Sequence, residues 1–233
     1  MALLPADALL LGEQHDAPEH QAIALQTVEA LAASGRLAAL AIEMAEEGNA
    51  TAHLPATATD AQVQAALSWD DKAWPWSAYG PAVMAAVRAG VPVVGANLPR
   101  ERMKDAMADV SLDAQLGADA REAQQEAVRS GHCKLLPEAQ IGPMTRIQIA
   151  RDRAMAQAIV NTLVPGKTVV LLSGAGHATR LLGVPQHLPS DLTVKTVQLR
   201  AGAAAEQPGA FDAVWLTPAL PVKDYCGTLR RAS

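Results

Sequence analysis

Aromatic residues are scarce in this chain: four Trp, two Tyr and one Phe make up 3% of its 233 residues. Basic residues are also few, 19 Lys and Arg against 24 Asp and Glu, and they form no stripe. Nucleic-acid binding needs a basic track or an aromatic stacking platform, so that class of partner is excluded. No apolar run approaches the ~20 residues of a membrane-spanning helix, and Gly or charge interrupts each one, so no transmembrane segment is expected. A basic n-region, a long apolar h-region and a cleavage site are missing from the start of the chain, which reads as a mature or cytosolic form. Gly-x-Ser-x-Gly, Walker and Gly-x-Gly-x-x-Gly signatures are absent too, and the serine hydrolase, P-loop and dinucleotide readings lose their support.

Only two cysteines occur, Cys133 in SGHCKL and Cys226 in KDYCGT. They either stay free or pair, and pairing implies an oxidising compartment. A bridge between them would close a loop of roughly 90 residues and contribute on the order of 4 kcal/mol in the chain-entropy model.

What is present is a globular composition, 50% hydrophobic and 18% charged with a formal net charge of −5. Four strand-like apolar runs each stop at a polar cluster. LLLGEQHD ends in Glu13 and His15, LAALAIEM in Glu43, VPVVGANLPR in Asn97 and Arg100, and TVVLLSGAGH in His177. Helical periodicity separates the runs: Glu19 to Ala33, a short helix from an Asp60 N-cap to Leu67, one from Pro81 to Ala89, and one from Thr145 to Leu163. Two later runs, TVKTVQL and DAVWLT, read as closing strands, the first with the alternation of an antiparallel or edge position. Strands alternating with helices predict one α/β domain over residues 1–233, a mostly parallel, mixed sheet with helices on both faces. The stretch from Pro99 to Pro165 exceeds a crossover helix and predicts a helical excursion, about residues 100–166, that acts as a lid or subdomain. In an open parallel sheet the C-terminal strand ends share one edge, so the four polar clusters converge over one crevice.

The chemistry of that edge follows from its residue types. Glu13 and His15 are two apart in an extended segment and so share a side. A carboxylate and an imidazole held together bind a divalent metal or act as an acid/base pair. Glu43 directly follows an apolar strand and needs a cation or donor there, with Arg100 and Arg151 as structural partners. His177 follows Ser-Gly-Ala-Gly, whose backbone amides suit an anion, although a helix cap or a buried carbonyl would also satisfy the ring. Arg151 and Asp152 read as a helix-surface pair or a clamp behind the site. His20, His53 and His187 read as solvated. Trp69, Trp74, Trp76 and Tyr79 crowd one segment and form a packed wall or a ligand surface. Met103 and Met107 are four apart and share a helix face with Val110.

Taken together, LLLGEQHDAPEHQ, LAIEM, the W-P-W-x-x-Y-G-P segment, VVGANLPRE, GHC, QIARDRAMA, LLSGAGHATRLLGVP and FDAVWLTP with DYC resemble the ChaN family of bacterial haem-binding, iron-regulated proteins. The resemblance runs in order from about Leu9 to Cys226. ChaN proteins are similar to the wider Tiki superfamily, with its erythromycin esterases and Tiki-type metalloproteases. Its Glu/x/His, Glu and His core falls here on Glu13, His15, Glu43 and His177.

The resemblance implies a mixed-sheet α/β domain that binds haem in bacterial haem or iron uptake. It implies a cell-envelope location, periplasmic or lipid-anchored, with an outer-membrane haem receptor system as partner. No lipobox cysteine is present, which keeps a cytoplasmic location as the alternative, and paired cysteines would fit the envelope. Tyr, His, Met or Cys can ligate haem iron, and a phenolate suits ferric haem. Tyr79 is the preferred ligand, Tyr225 the other tyrosine, with Arg100 on the propionates and Met103 and Met107 against the ring. An apolar haem face would be covered in a homodimer. The alternative is a hydrolase in which Glu13, His15, Glu43 and His177 hold a divalent ion or act as acid/base groups.

Overall fold

Leu9 and Leu11 of β1 (Ala8–Glu13) point into one buried cluster and Ala8 and Leu10 into another, as alternation in a strand dictates. A strand buried on both sides belongs in the middle of a sheet covered on both faces. The computed structural model, which describes residues 3–203 and 208–230 with 228–230 as backbone, places β1 there. The other strands are β2 (Leu37–Glu46), β3 (Val93–Asn97), β4 (Thr168–Gly174), β5 (Val194–Ala201) and β6 (Ala213–Thr217). Their order is β3-β2-β4-β1-β5-β6, and every strand pairing is parallel. One isolated antiparallel bridge joins Ala50 to Val94 of β3.

The mixed sheet expected from sequence is therefore parallel throughout its named strands, and β5, the TVKTVQL run, is neither antiparallel nor an edge strand. Its alternation has another cause. Val197 and Leu199 are packed into the first cluster, while Gln198 and Arg200 on the other face stay half-exposed beside the outermost strand β6.

Helices α1 (Pro18–Ala33) and α3 (Trp76–Arg88) cover one face, and α6 (Glu138–Asn161) with α7 (Ala175–Ala178) covers the other. The short α2 (Asp60–Ala66) is capped by Thr59, not Asp60; Thr59 and Gln62 form a reciprocal capping box. Helix α3 begins at Trp76, five residues before Pro81, which sits inside it. Between β3 and β4 run α4 (Met103–Ala108), α5 (Ala118–Gly131) and α6. Leu98, Ala106, Leu112, Leu116, Ile149 and Ala154 give this excursion a small core of its own, against which Met103 packs.

Two irregularities in β2 position the site. Pairing with β4 shifts register between Leu37 and Ala39, so that Ala38 and Ala39 both face the second cluster. Pairing with β3 breaks between Ile42 and Glu46. Glu43 sits in that gap, and its carbonyl, deprived of a ladder partner, accepts from the Asn97 side chain at 2.9 Å.

Candidate functional site: an acid/histidine chain across the strand ends

Glu13 ends β1 on the side of Leu9 and Leu11, facing α1 and α3. Its Oε1 accepts from the Tyr79 hydroxyl at 2.7 Å and lies 2.9 Å from His15 Nδ1, while Oε2 accepts from Gln21 at 3.1 Å. Glu43 belongs to the opposite face. Its Oε2 accepts from the Gly174 N–H at 2.7 Å, and its Oε1 is 3.4 Å from Arg151 Nη2 and 3.5 Å from His177 Nε2. Arg151 is itself held by Asn97 at 2.8 Å, and His177 Nδ1 lies 2.6 Å from Asp152. His15 stands between the two carboxylates, with Nε2 3.9 Å from Glu43. One chain of groups thus crosses the sheet: Tyr79, Glu13, His15, Glu43, His177, Asp152.

Electrostatics follow from burial and partners. Burial opposes charge on His177, but Glu43 and Asp152 outweigh it and hold the imidazolium up to about 10. Burial also works against the Glu43 anion, yet His177, His15 and Arg151 keep its pKa well below the usual carboxylate range. Asp152 is pushed up by burial even with the imidazolium beside it. His15 is raised, because Glu13 and Glu43 more than offset its desolvation. Burial and the Glu13 carboxylate push the Tyr79 phenol far up.

The structure brings Glu13, His15, Glu43 and His177 together as the sequence suggests, and Tyr79 joins them through Glu13. Tyr79 is only 3% exposed and its hydroxyl is committed to Glu13, so it stands in the core and not on an open ligand surface. Arg100 is exposed, and its backbone N–H donates to Glu46, leaving Arg151 as the guanidinium at Glu43. Met103 is turned into the excursion's small core, and the Met107 carbonyl accepts from Arg146. The Gly174 amide of the Ser-Gly-Ala-Gly turn binds the protein's own Glu43, and a Cβ there would come within 3.0 Å of His15 Nε2. Among the described residues no group of three or more His, Cys, Asp and Glu is arranged to hold a metal ion. A groove of about 860 Å³ lies elsewhere, between α4, α6 and the segment 186–189, where Arg153 and His187 are among its lining residues.

Gln21 escapes the sequence reading, which leaves Asp152 open between a helix-surface pair and a clamp behind the site. Asp152 is buried, not on the helix surface; it shares an apolar stripe with Ile149, Ala156 and Ile159 at helical spacing. Gln21 does the same with Ala24, Val28 and Leu31. A polar residue inside such a stripe is the signal that finds both. His20 is likewise buried, not solvated, accepting from the Gln14 N–H at 2.9 Å and lying 3.0 Å from the Thr217 hydroxyl. Cys133 and Cys226 form a disulfide, which ties the end of α5 to α8 (Tyr225–Arg230).

The family profile for haem-binding uptake proteins of the Tiki superfamily, ChaN, matches residues 1–188. The chain belongs to the ChaN family. A solved structure of similar fold is described as cofacial haem binding to ChaN of Campylobacter jejuni: 25% identity, TM-score 0.74, covering 87% of this chain and 85% of that one. The type III effector HopBA1 is more distant, at 15% identity and TM-score 0.47 over 92% of this chain and 88% of its own. No curated protein sequence matches. Membership in ChaN makes haem binding in uptake the function of this fold, and no helix among the described residues is long and apolar enough to cross a membrane.

Proposed function

We propose that this ChaN protein is a haem carrier of the bacterial cell envelope that presents ferric haem at its surface, with Tyr225 as the iron ligand. The observation that carries the reading is the Cys133–Cys226 disulfide, which pins the 61% exposed Tyr225 to the body of the protein. A phenolate is a suitable ligand for ferric haem, and a carrier needs its ligand open to exchange. The phenol donates to Asp16, which also accepts from Lys223, so a carboxylate stands ready to pass the phenolic proton on to solvent when iron replaces it. Leu135 and Val222, both exposed, flank the two half-cystines in sequence and offer apolar surface to a porphyrin. Lys134, Lys223 and Arg100 supply cations for propionates. Tyr225 lies beyond the residues matched by the family profile.

The disulfide also supports an oxidising location, the envelope, where haem would be received from an outer-membrane receptor system. The cofacial haem of the Campylobacter protein suggests that two loaded copies meet haem to haem. A divalent metal held by Glu13, His15, Glu43 and His177, the hydrolase alternative, has less behind it. Both carboxylates are already engaged, Glu13 by Tyr79, Gln21 and His15 and Glu43 by Gly174 and Arg151, and each ring has its Nδ1 on a carboxylate.

The test is a ferric haem titration followed at the Soret band in the wild type, Tyr225→Phe and Tyr79→Phe. Saturable binding whose spectrum changes in Tyr225→Phe and persists in Tyr79→Phe supports the assignment. A wild-type spectrum in Tyr225→Phe sinks it.

A further inference from the structure

His20 is 0% exposed and stands outside the acid/histidine chain, yet both of its ring nitrogens are engaged. Nδ1 accepts from the Gln14 backbone N–H at 2.9 Å, and a backbone amide can only donate, so this nitrogen carries no proton. The proton is therefore on Nε2, 3.0 Å from the Thr217 hydroxyl, and the ring is neutral. Thr217 in turn donates to the Arg200 carbonyl at 3.4 Å. The Gln14 side chain reaches β5 as well, its Oε1 accepting from the Ala201 N–H at 2.7 Å. One imidazole on α1 thus ties the turn after β1 to the ends of β5 and β6.

The two tied points are the roots of a single contact. Asp16 lies in the turn that begins at Gln14, closed by the Ala17 N–H on the Gln14 carbonyl at 3.0 Å. Tyr225 follows Thr217 across the stretch 218–224, which belongs to no helix or strand. The Tyr225 phenol and the Lys223 ammonium meet on the Asp16 carboxylate.

We propose that His20 is the positioning residue for the haem ligand, an inference that rests on the Tyr225 reading: the neutral ring holds Asp16 and Tyr225 in register, and its protonation in acid lets them part. An imidazolium carries a proton on each nitrogen, so Nδ1 would face the Gln14 N–H donor to donor. In a place closed to solvent an unpaired donor is costly, and the turn opens to relieve it. Burial holds the His20 pKa below its ordinary 6.5, against the pull of Glu13 on β1, Glu19 on α1 and Asp16 in the turn, while Thr217, facing it from β6, carries no charge. The tie is therefore whole at neutral pH and is lost as pH falls below 6.5 through the depressed value. Tyr225 is presented in one range and let go in the other.

The experiment follows the tyrosine Cζ signals of the haem-free full chain by NMR from about pH 7.5 to 4.5. The chain has two tyrosines, so Tyr79→Phe and Tyr225→Phe assign both signals. Asp16 is lowered by the Tyr225 hydrogen bond and by Lys223 and stays ionised over this range, so a Tyr225 shift there is not the titration of its own partner. In the wild type the Tyr225 signal should move in step with the His20 ring signals. His20→Asn keeps an acceptor for the Gln14 N–H and does not titrate, so its Tyr225 signal should hold the neutral wild-type position throughout. In His20→Ala the signal should be displaced already at neutral pH, with circular dichroism to check folding; the comparison of wild type with His20→Asn stands without that variant. A Tyr225 signal that does not follow the His20 titration, or that keeps its wild-type position in folded His20→Ala, overturns the proposal. Loaded with ferric haem, the wild type should lose more affinity on acidification than His20→Asn. The NMR measurement contains no haem, so a failure of the ligand assignment, seen as a wild-type Soret spectrum in Tyr225→Phe, and a failure of this one are read separately.

Discussion

His15 links two carboxylates that belong to opposite faces of the sheet: Nδ1 is 2.9 Å from Glu13 and Nε2 is 3.9 Å from Glu43. Of the four acid and histidine residues at the strand ends it is the one with an appreciably open side chain, 39% exposed, and Trp74 packs edge-on against its ring at 4.8 Å. The chain of groups from Tyr79 to Asp152 is thus closed to solvent except at its centre.

Stability should depend on pH through His177 and Glu43. The folded His177 pKa of about 10 lies above its ordinary 6.5, so the contribution is complete below about 6.5 and fades as pH rises towards 10. Glu43 is lowered, so its contribution is present above the ordinary carboxylate range and lost as pH falls through and below it. Asp152, raised by burial, offsets part of that acid-side gain. Urea unfolding across pH should show a plateau between about pH 5 and 6.5 and a fall towards pH 10. In His177→Gln the alkaline fall should flatten; a profile parallel to the wild type would refute the account.

Glu43→Gln removes the anion that neutralises His177, His15 and Arg151. Breaking a buried charge cluster from one side costs about 3–5 kcal/mol. A thermal midpoint lowered by several degrees is expected, with Arg151→Ala costing less because that side chain is partly solvated. Equal and negligible shifts in the two variants would show the cluster to be unimportant for stability.

Tyr79→Phe deletes the hydroxyl on Glu13 and leaves a carboxylate still served by His15 and Gln21. A loss of about 1–2 kcal/mol is expected for one buried hydrogen bond, read from chemical denaturation at neutral pH. A loss near zero would mean that the phenol contributes packing alone.

Haem affinity should rise with pH. The hydrogen bond to Asp16 raises the Tyr225 pKa, so the phenol is protonated at neutral pH and iron must displace that proton. Binding that releases one proton strengthens by about tenfold per pH unit below the phenol pKa. Soret titrations between pH 6 and about 9 test this, and a flat affinity would point to a ligand that gives up no proton.

Gly95→Ala should damage the β3 edge. A Cβ at this position would run into the Glu46 carbonyl oxygen, where β2 and β3 part and the Asn49 carbonyl crosses over. Backbone must move to relieve such a contact, and a cost of about 2–4 kcal/mol is expected. Wild-type stability in the alanine variant would show that the strands separate more freely than this geometry allows.

Much of the arrangement was legible in the chain. Strand runs that end in Glu13, Glu43 and His177 can only converge if the strands are parallel, and parallel strands need the helices whose periodicity separates them. The regularity of β5 misled because a strand one place in from the edge alternates as an edge strand does. His20 reads as solvated, Gln21 draws no notice and Asp152 stays open between a helix surface and a clamp, because side-chain type is weighed before the apolar stripe each one interrupts.

By itself the sequence determined the order of strands and helices, the shared edge of the polar clusters and membership of the ChaN family, since these depend on local periodicity and on residues in a fixed linear order. Tertiary structure alone decided that Glu13 and Glu43 face opposite sides of the sheet, that Tyr79 is buried on a carboxylate, that the Gly174 amide is taken by Glu43, and that Cys133 meets Cys226. Each of these is a meeting of residues far apart in the chain. Their distances are set by sheet order and strand register, which no local pattern encodes.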